Sequence, residues 1–187
     1  MRLVNFKIME TKGKGAGGAG TNKNGLPFED CVDEIHIENF TYKKQYEFVK
    51  YMRPFENKNF NSFFKPDGAY ISDDFKNVYI LECKFQNSSG SVDEKLLSSV
   101  MKLKLYKNKY PGINFFYAFV LSPWFKTQKK YNDWYKILEE QNIVFFYGKE
   151  TGEIKLNISY DKDGQAKIKI SPSYETNNID IKNWILK

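Results

Sequence analysis

The sequence predicts an α/β fold, a mixed central β-sheet flanked by helices, with a β-hairpin added at the C-terminal end. Two apolar runs, "INFFYAFVLS" at 113–122 and "NIVFFYG" at 142–148, carry almost no polar interruption, as strands covered on both faces do. A helical pattern precedes each of them, at 91–110 and at 126–141, which is the alternation of an α/β domain. After these, "GEIKLNISYDKDGQAKIKISPS" alternates about "DKDG", as a hairpin does. One domain over 26–187, behind a Gly- and Lys-rich arm over 1–25, accounts for the chain.

Each element has its local reason. Residues 13–25, "GKGAGGAGTNKNG", read as a flexible segment. "LPFEDCVDEIHI" at 26–37 reads as a helix start: Pro27 suits a first turn, acids follow, and Phe28, Val32 and Ile35 recur at steps of three and four. The stretch 39–61 shows no clear period, and "YEFVKYM" at 46–52 fits either a strand or a short helix. "NSFFKPDGAYIS" and "NVYILECKFQ" read as consecutive strands joined by the turn "DDFKN". In the helix at 91–110, Ser91 can cap and Glu94 stands at the capping-box position. Leu96, Leu97, Val100 or Met101, Leu103, Lys104 and Leu105 give that helix a broad apolar side. In the helix at 126–141, Tyr131, Trp134, Tyr135 and Leu138 share one side.

Composition narrows the class. With 187 residues, 41% of them hydrophobic, the chain can bury a substantial core. No apolar run approaches the ~18 residues of a membrane span, and the N-terminus shows no secretory h-region. Cys31 and Cys83 are too few for a disulfide scaffold and too sparse for a zinc cluster. A reduced, cytoplasmic protein is expected. The net charge of +6 mildly favours a polyanionic partner.

The chemistry centres on residues 66–86. Side chains alternate on a strand, so in "LECKFQ" Glu82, Lys84 and Gln86 share one face and Leu81, Cys83 and Phe85 the other. If the hairpin turns about the Asp74–Phe75 junction, Ile71 faces Val78 and Asp67 faces Glu82. Directly opposed side chains have Cβ atoms roughly 4.5–5.5 Å apart, and two like charges there repel unless a cation lies between them. Oxygen-only ligands suit Mg²⁺, which keeps several waters and takes one or two carboxylates plus substrate phosphate. Lys84, two residues along, would sit beside the attacking water. Each part has an ordinary reading by itself. Glu-x-Lys is common on a half-exposed strand, and Pro-Asp-Gly is commonly only a turn. The combination, one hairpin apart, is more specific.

These residues, "PDGAYI…VYILECKFQ", resemble the motif of the PD-(D/E)xK nuclease superfamily, which includes many type II restriction endonucleases. The element order is similar over roughly 24–148, the specific motif only over 66–86. The resemblance implies a restriction-endonuclease-like fold and a Mg²⁺-dependent endodeoxyribonuclease acting on double-stranded DNA, as a homodimer on a two-fold site. It implies that Asp67 and Glu82 hold the metal, with the Cys83 main-chain carbonyl a further ligand, and that Lys84 assists the nucleophilic water. Gln86 recurs in some members near the site, and Glu29 fits the acid that an upstream helix often supplies. Glu94 and Lys95 would open a flanking helix, although capping explains Glu94 equally well. A structure-specific repair or junction-resolving nuclease of the same fold, and a non-catalytic DNA-binding domain, are the alternatives.

Other features carry less. "GKGAGG" matches G-x-G-x-x-G literally, but no βαβ unit surrounds it and no G-K-[ST] closes a P-loop. A basic arm touching phosphates through Lys12, Lys14 and Lys23 is the better account. His36 is the only histidine, which leaves triad chemistry unsupported, and it reads as an ordinary helix residue. Asp161 and Asp163 in "DKDG" fit turn chemistry better than a calcium loop. The lysines at 102, 104, 107 and 109, and those at 126, 129 and 130, form either a DNA-facing surface or solvated helix faces.

Overall fold

The computed structural model describes residues 7–10, 32, 35–61, 64–86, 92–160, 165–175 and 178–187. Its centre is a five-stranded mixed sheet in the order β2 (Phe40–Lys43), β3 (Gly68–Ser72), β4 (Asn77–Lys84), β5 (Asn114–Leu121), β6 (Ile143–Tyr147). β3 pairs antiparallel with both β2 and β4, whereas β4, β5 and β6 run parallel. Helices α1 (Gln45–Met52), α2 (Val92–Leu97), α3 (Ser99–Lys109), α4 (Asn132–Glu140) and α5 (Asn178–Ile185) flank it. A second sheet joins β1 (Lys7–Glu10), β7 (Lys149–Tyr160) and β8 (Ala166–Glu175), with β7 and β8 antiparallel as the alternation requires. β1 lies within the expected arm and pairs parallel with β7; the rest of 1–25 and the "DKDG" turn lie outside the described residues.

The sheet is covered on both faces, and strand alternation assigns each residue to one of them. Ala69, Ile71, Val78, Ile80, Tyr117 and Phe119 pack with Phe48, Leu96, Leu103 and Tyr106 from the helices on one side. Tyr70, Tyr79, Leu81, Cys83, Ala118 and Val120 pack on the other with Val32, Ile35, Ile37, Ile181 and Ile185. The continuous apolar runs at β5 and β6 follow from this two-sided burial.

The β3–β4 turn fixes the register. Ser72 Oγ donates to Asp74 Oδ1 at 2.7 Å, and the Lys76 and Asn77 amides donate to Asp74 Oδ1 and Ser72 Oγ, each at 3.0 Å. Phe75 takes a left-handed backbone, φ 57°, and its ring lies between Tyr51 and Phe55 of the α1 region, with centroids at 5.4 and 4.7 Å. A phenylalanine is costly at positive φ, and the aromatic contacts offset that strain. Ile71 then faces Val78 and Gly68 faces Leu81, the register expected from the sequence.

Several expectations are corrected. Ile35–Ile37 lie outside any helix, so the described end of the helix expected at 26–37 is absent; 26–31 and 33–34 lie outside the described residues. The Tyr70 hydroxyl donates to the carbonyls of Val32 and Ile35, holding that segment against the sheet, and His36 is exposed there. The helix at 91–110 breaks at Ser98 into α2 and α3. Ser98 Oγ and Ser99 Oγ donate to the carbonyls of Lys95 and Leu96 at 2.8 and 2.6 Å, and such back-bonding competes with the helical ladder. Its buried side is Leu96, Ser99, Leu103 and Tyr106, while Leu97 and Met101 face solvent, 45% and 61% exposed. The helix at 126–141 becomes regular only from Asn132, after two 3-10 turns. The segment 46–52 is helical, and β2 and α5 were not expected.

Gly68 opens β3 against the Tyr42 ring. A Cβ there would collide with the Tyr42 hydroxyl and ring carbons, and that ring is held by Tyr70 at 4.9 Å. Gly68→Ala should therefore destabilise by about 1–3 kcal/mol in chemical denaturation, and adding Tyr42→Leu should recover part of the loss.

Candidate active site

The site stands where β3 begins and β4 ends. Pro66 and Gly68 bend the chain into β3, and the Pro66 carbonyl accepts the Gln45 amide at 2.9 Å, which ties the bend to the first residue of α1. Asp67, one residue before Gly68, continues the register toward Glu82. Its Oδ2 accepts the Cys83 amide at 2.9 Å, so the carboxylate is hydrogen-bonded across the strand pair. Glu82 and Lys84 lie on the same face as Val78 and Ile80, at the end next to α3.

The Lys84 ammonium joins the three groups. Its Nζ lies 3.1 Å from Asp67 Oδ2, 2.8 Å from Glu82 Oε2 and 3.0 Å from the Cys83 carbonyl oxygen. Lys84 thus gathers the same three oxygens expected to bind a metal. Glu82 is 4% exposed. At the ~5 Å of opposed side chains, two carboxylates repel by on the order of 3 kcal/mol at an effective dielectric of about 20, so a cation between them is an electrostatic need. The other Glu82 oxygen, Oε1, receives Lys102 Nζ of α3 at 3.2 Å.

The protonation energetics follow from these contacts. Burial, and then the charge of Glu82, raise the Asp67 carboxyl above its ordinary value against the opposing pull of Lys84. Burial also pushes Glu82 upward, but Lys84 and Lys102 together bring it below the usual carboxylate range. Burial opposes the charge on Lys84, yet Glu82 and Asp67 outweigh it and hold the ammonium protonated well above the ordinary lysine range. Beneath the site, the Tyr106 hydroxyl is buried with no partner at hydrogen-bond distance, and the buried Tyr117 hydroxyl lies beside the Glu82 carboxylate. Burial first, and the nearby Glu82 charge second, raise both phenols.

Of the other expected residues, Gln86 lies two residues past the end of β4, buried, and its main chain is clamped by Ser122. The Gln86 amide donates to Ser122 Oγ at 3.0 Å, and that hydroxyl donates to the Gln86 carbonyl at 2.7 Å. Glu29 lies outside the described residues. Glu94 and Lys95 are exposed on α2. Lys102 was expected only as part of a lysine-rich helix surface, and it belongs to the site. Lys109 also turns inward, 5% exposed, to Glu56 at 3.6 Å. Lys104, Lys107, Lys126, Lys129 and Lys130 are exposed.

A hairpin that carries an aspartate after a proline and returns Glu-x-Lys opposite it, on a mixed sheet, has a match among protein families. Residues 31–110 match the model of the PD-(D/E)XK nuclease superfamily domain. The matched segment spans β2 to the end of α3 and contains Asp67, Glu82, Lys84 and Lys102. The five-stranded mixed sheet with flanking helices is consistent with the PD-(D/E)XK fold. No curated protein and no solved structure gives a significant match to the chain.

The donor set fits a hard divalent cation. It is all oxygen, two carboxylates and a carbonyl, and it already surrounds a positive charge at 2.8–3.1 Å. Among the described residues no three acidic, histidine or cysteine side chains converge.

The two carboxylates should respond oppositely to replacement. A group whose pKa is raised by folding is disfavoured when ionised, so Asp67→Asn should leave the metal-free protein at neutral pH with a Tm equal to or above that of the wild type. Glu82→Ala leaves two ammonium groups without their shared partner and should cost about 3–5 kcal/mol, measured by denaturant unfolding.

Proposed function

We propose that the protein is a Mg²⁺-dependent endodeoxyribonuclease that cuts double-stranded DNA at a specific site, in the manner of a type II restriction enzyme. The observation that carries this reading is the convergence of Asp67, Glu82 and the Cys83 carbonyl on one cation, supplied here by Lys84. Asp67 and Glu82 would hold the metal, with the Cys83 carbonyl beside them. When bound, Mg²⁺ would supply a Lewis acid for the phosphoryl oxygen and lower the pKa of a water.

The chain's own residues do the rest. If Asp67 and Glu82 held a metal, Lys84 would give up some of its three contacts, and its ammonium would turn toward the attacking water or the scissile phosphate. There it orients the nucleophile and offsets developing charge, a role for a permanently protonated group. Buried walls on the sheet side limit water access, while Asp67 and Lys84 keep side-chain exposures of 19% and 15% toward solvent. Lys126, exposed just beyond β5, stands at the same end of the sheet because β4 and β5 run parallel and Lys84 pairs with Leu121. It can contact a backbone phosphate. A homodimer would match a two-fold DNA site and cut both strands. Glu29 would support the water shell and Gln86 the substrate, within a domain over 26–187 carrying a basic arm.

Plasmid cleavage tests the reading. Wild type should cut with Mg²⁺ and not with EDTA, leaving 5′-phosphates, and Asp67→Ala and Lys84→Ala should each lower the rate by about 10²–10⁴-fold. Equal cutting by all three proteins overturns the assignment. Discrete fragments support a specific site, whereas preference for branched substrates would move the function to structure-specific repair.

A further inference from the structure

The geometry points to Lys102 as a further positioning residue, which neutralises Glu82 from the helix side and so weakens divalent-cation binding until a phosphodiester arrives. This rests on the metal-site reading above. Lys102 reaches Glu82 Oε1 at 3.2 Å while Lys84 holds Oε2 at 2.8 Å, so each carboxylate oxygen has its own ammonium. Two carboxylates, Asp67 and Glu82, therefore face two ammonium groups, and the metal-free cluster is neutral.

A solvated helix face would not produce this arrangement. Lys102 adjoins Met101, which points into solvent at 61% exposure, yet its own side chain is 27% exposed and ends on a carboxylate that is 6% exposed. α3 is held in this phase by Ser99, Leu103 and Tyr106 on its buried side, so Lys102 stands at the edge of the packed face, beside the strand end. Lys84 belongs to the same strand as Glu82, two residues from it. Lys102 comes from another element and remains on Oε1 when Lys84 moves.

The charge balance gives the consequence. A divalent cation placed between Asp67 and Glu82, with both lysines still near, leaves the cluster with two excess positive charges. Like charges a few ångströms apart in a partly desolvated site oppose that state. A DNA strand brings one negative charge per phosphate and removes the excess. Metal and DNA then strengthen one another's binding, and by linkage the coupling is the same in both directions. Lys102 sets much of its size. It does so without touching the reacting atoms, which makes it a positioning residue.

Calorimetric titration of Ca²⁺, a hard oxygen-seeking probe, into the DNA-free full chain tests this. Lys102→Met should bind Ca²⁺ at least about tenfold more tightly than wild type, and Lys102→Arg should stay within about twofold of it. A short double-stranded oligonucleotide should tighten Ca²⁺ binding in wild type, and by less in Lys102→Met. Lys102→Gln, with folding followed by circular dichroism, serves if the Met variant does not fold. A merely structural lysine would lower Tm without raising affinity. If binding depends on Glu82, as shown by its loss in Glu82→Gln, but is not tightened in the Lys102 variants, this inference falls and the metal reading stands. Equal titration of wild type and Glu82→Gln overturns both.

Discussion

Two carboxylates set opposite one another at the buried end of a β-hairpin need a cation between them, and the surrounding structure is arranged to meet that need. The opposition is a matter of register. Ile71 facing Val78 and Gly68 facing Leu81 carry Asp67 to the level of Glu82. A slip by one residue would send Glu82 to the face of Leu81 and Cys83, among apolar side chains with no partner for its charge. The turn that holds the register lies at the far end of the hairpin. It combines a Ser72–Asp74 network with Phe75 stacked on α1, so the geometry of the site depends on aromatic contacts remote from it.

Much of this was legible in the sequence because the strand period is two and admits few errors. Once "DDFKN" is taken as the turn, the faces of Asp67, Glu82 and Lys84 follow. The fold class was legible for the same reason: uninterrupted apolar runs at 113–122 and 142–148 have few alternatives to strands covered on both faces. Lys102 was not legible, because its place depends on the rotational phase of α3. Counting Leu97 and Met101 as apolar-side residues turns the helix and points Lys102 elsewhere. The signal that finds it is the narrower set Leu96, Ser99, Leu103 and Tyr106, spaced by three and four, which puts a serine inside and a methionine outside. Hydrophobicity by residue type conceals that phase.

The other departures have local causes. β2 is four residues of half-buried edge strand, too short for a period to show. α5 presents Ile181 and Ile185 to the sheet four residues apart, with Trp184 edge-on to Tyr79 at 5.1 Å, but Asn and Asp neighbours and β-branched residues mask a helix that tertiary packing sustains. The segment before β2 illustrates competition. Val32 and Ile35 are spaced as on a helix, yet Ile35–Ile37 are not helical; there the Tyr70 hydroxyl meets the Val32 and Ile35 carbonyls, and Val32, Ile35 and Ile37 are buried against the sheet.

A buried ion cluster is a weak way to stabilise a fold, since removing charges from water costs several kcal/mol per ion and apolar side chains of similar size often do as well. β4 shows the alternative on the same face, where the wholly apolar side chains of Val78 and Ile80 pack against the helices. Replacing Glu82, Lys84 and Lys102 by apolar groups would extend that packing to the strand end. Asp67 makes the point more sharply, because its carboxyl is held above its ordinary pKa by burial and by Glu82, so its ionised form works against folding. Stability therefore does not account for the cluster. A neutral set of two carboxylates and two ammonium groups, opening to solvent beside Asp67 and Lys102, is instead suited to exchange. In the proposed function a divalent cation would replace the ammonium, which would then be redirected toward a phosphate, at an end of the sheet where the Ser122 clamp on Gln86 and the hairpin register keep the backbone in place.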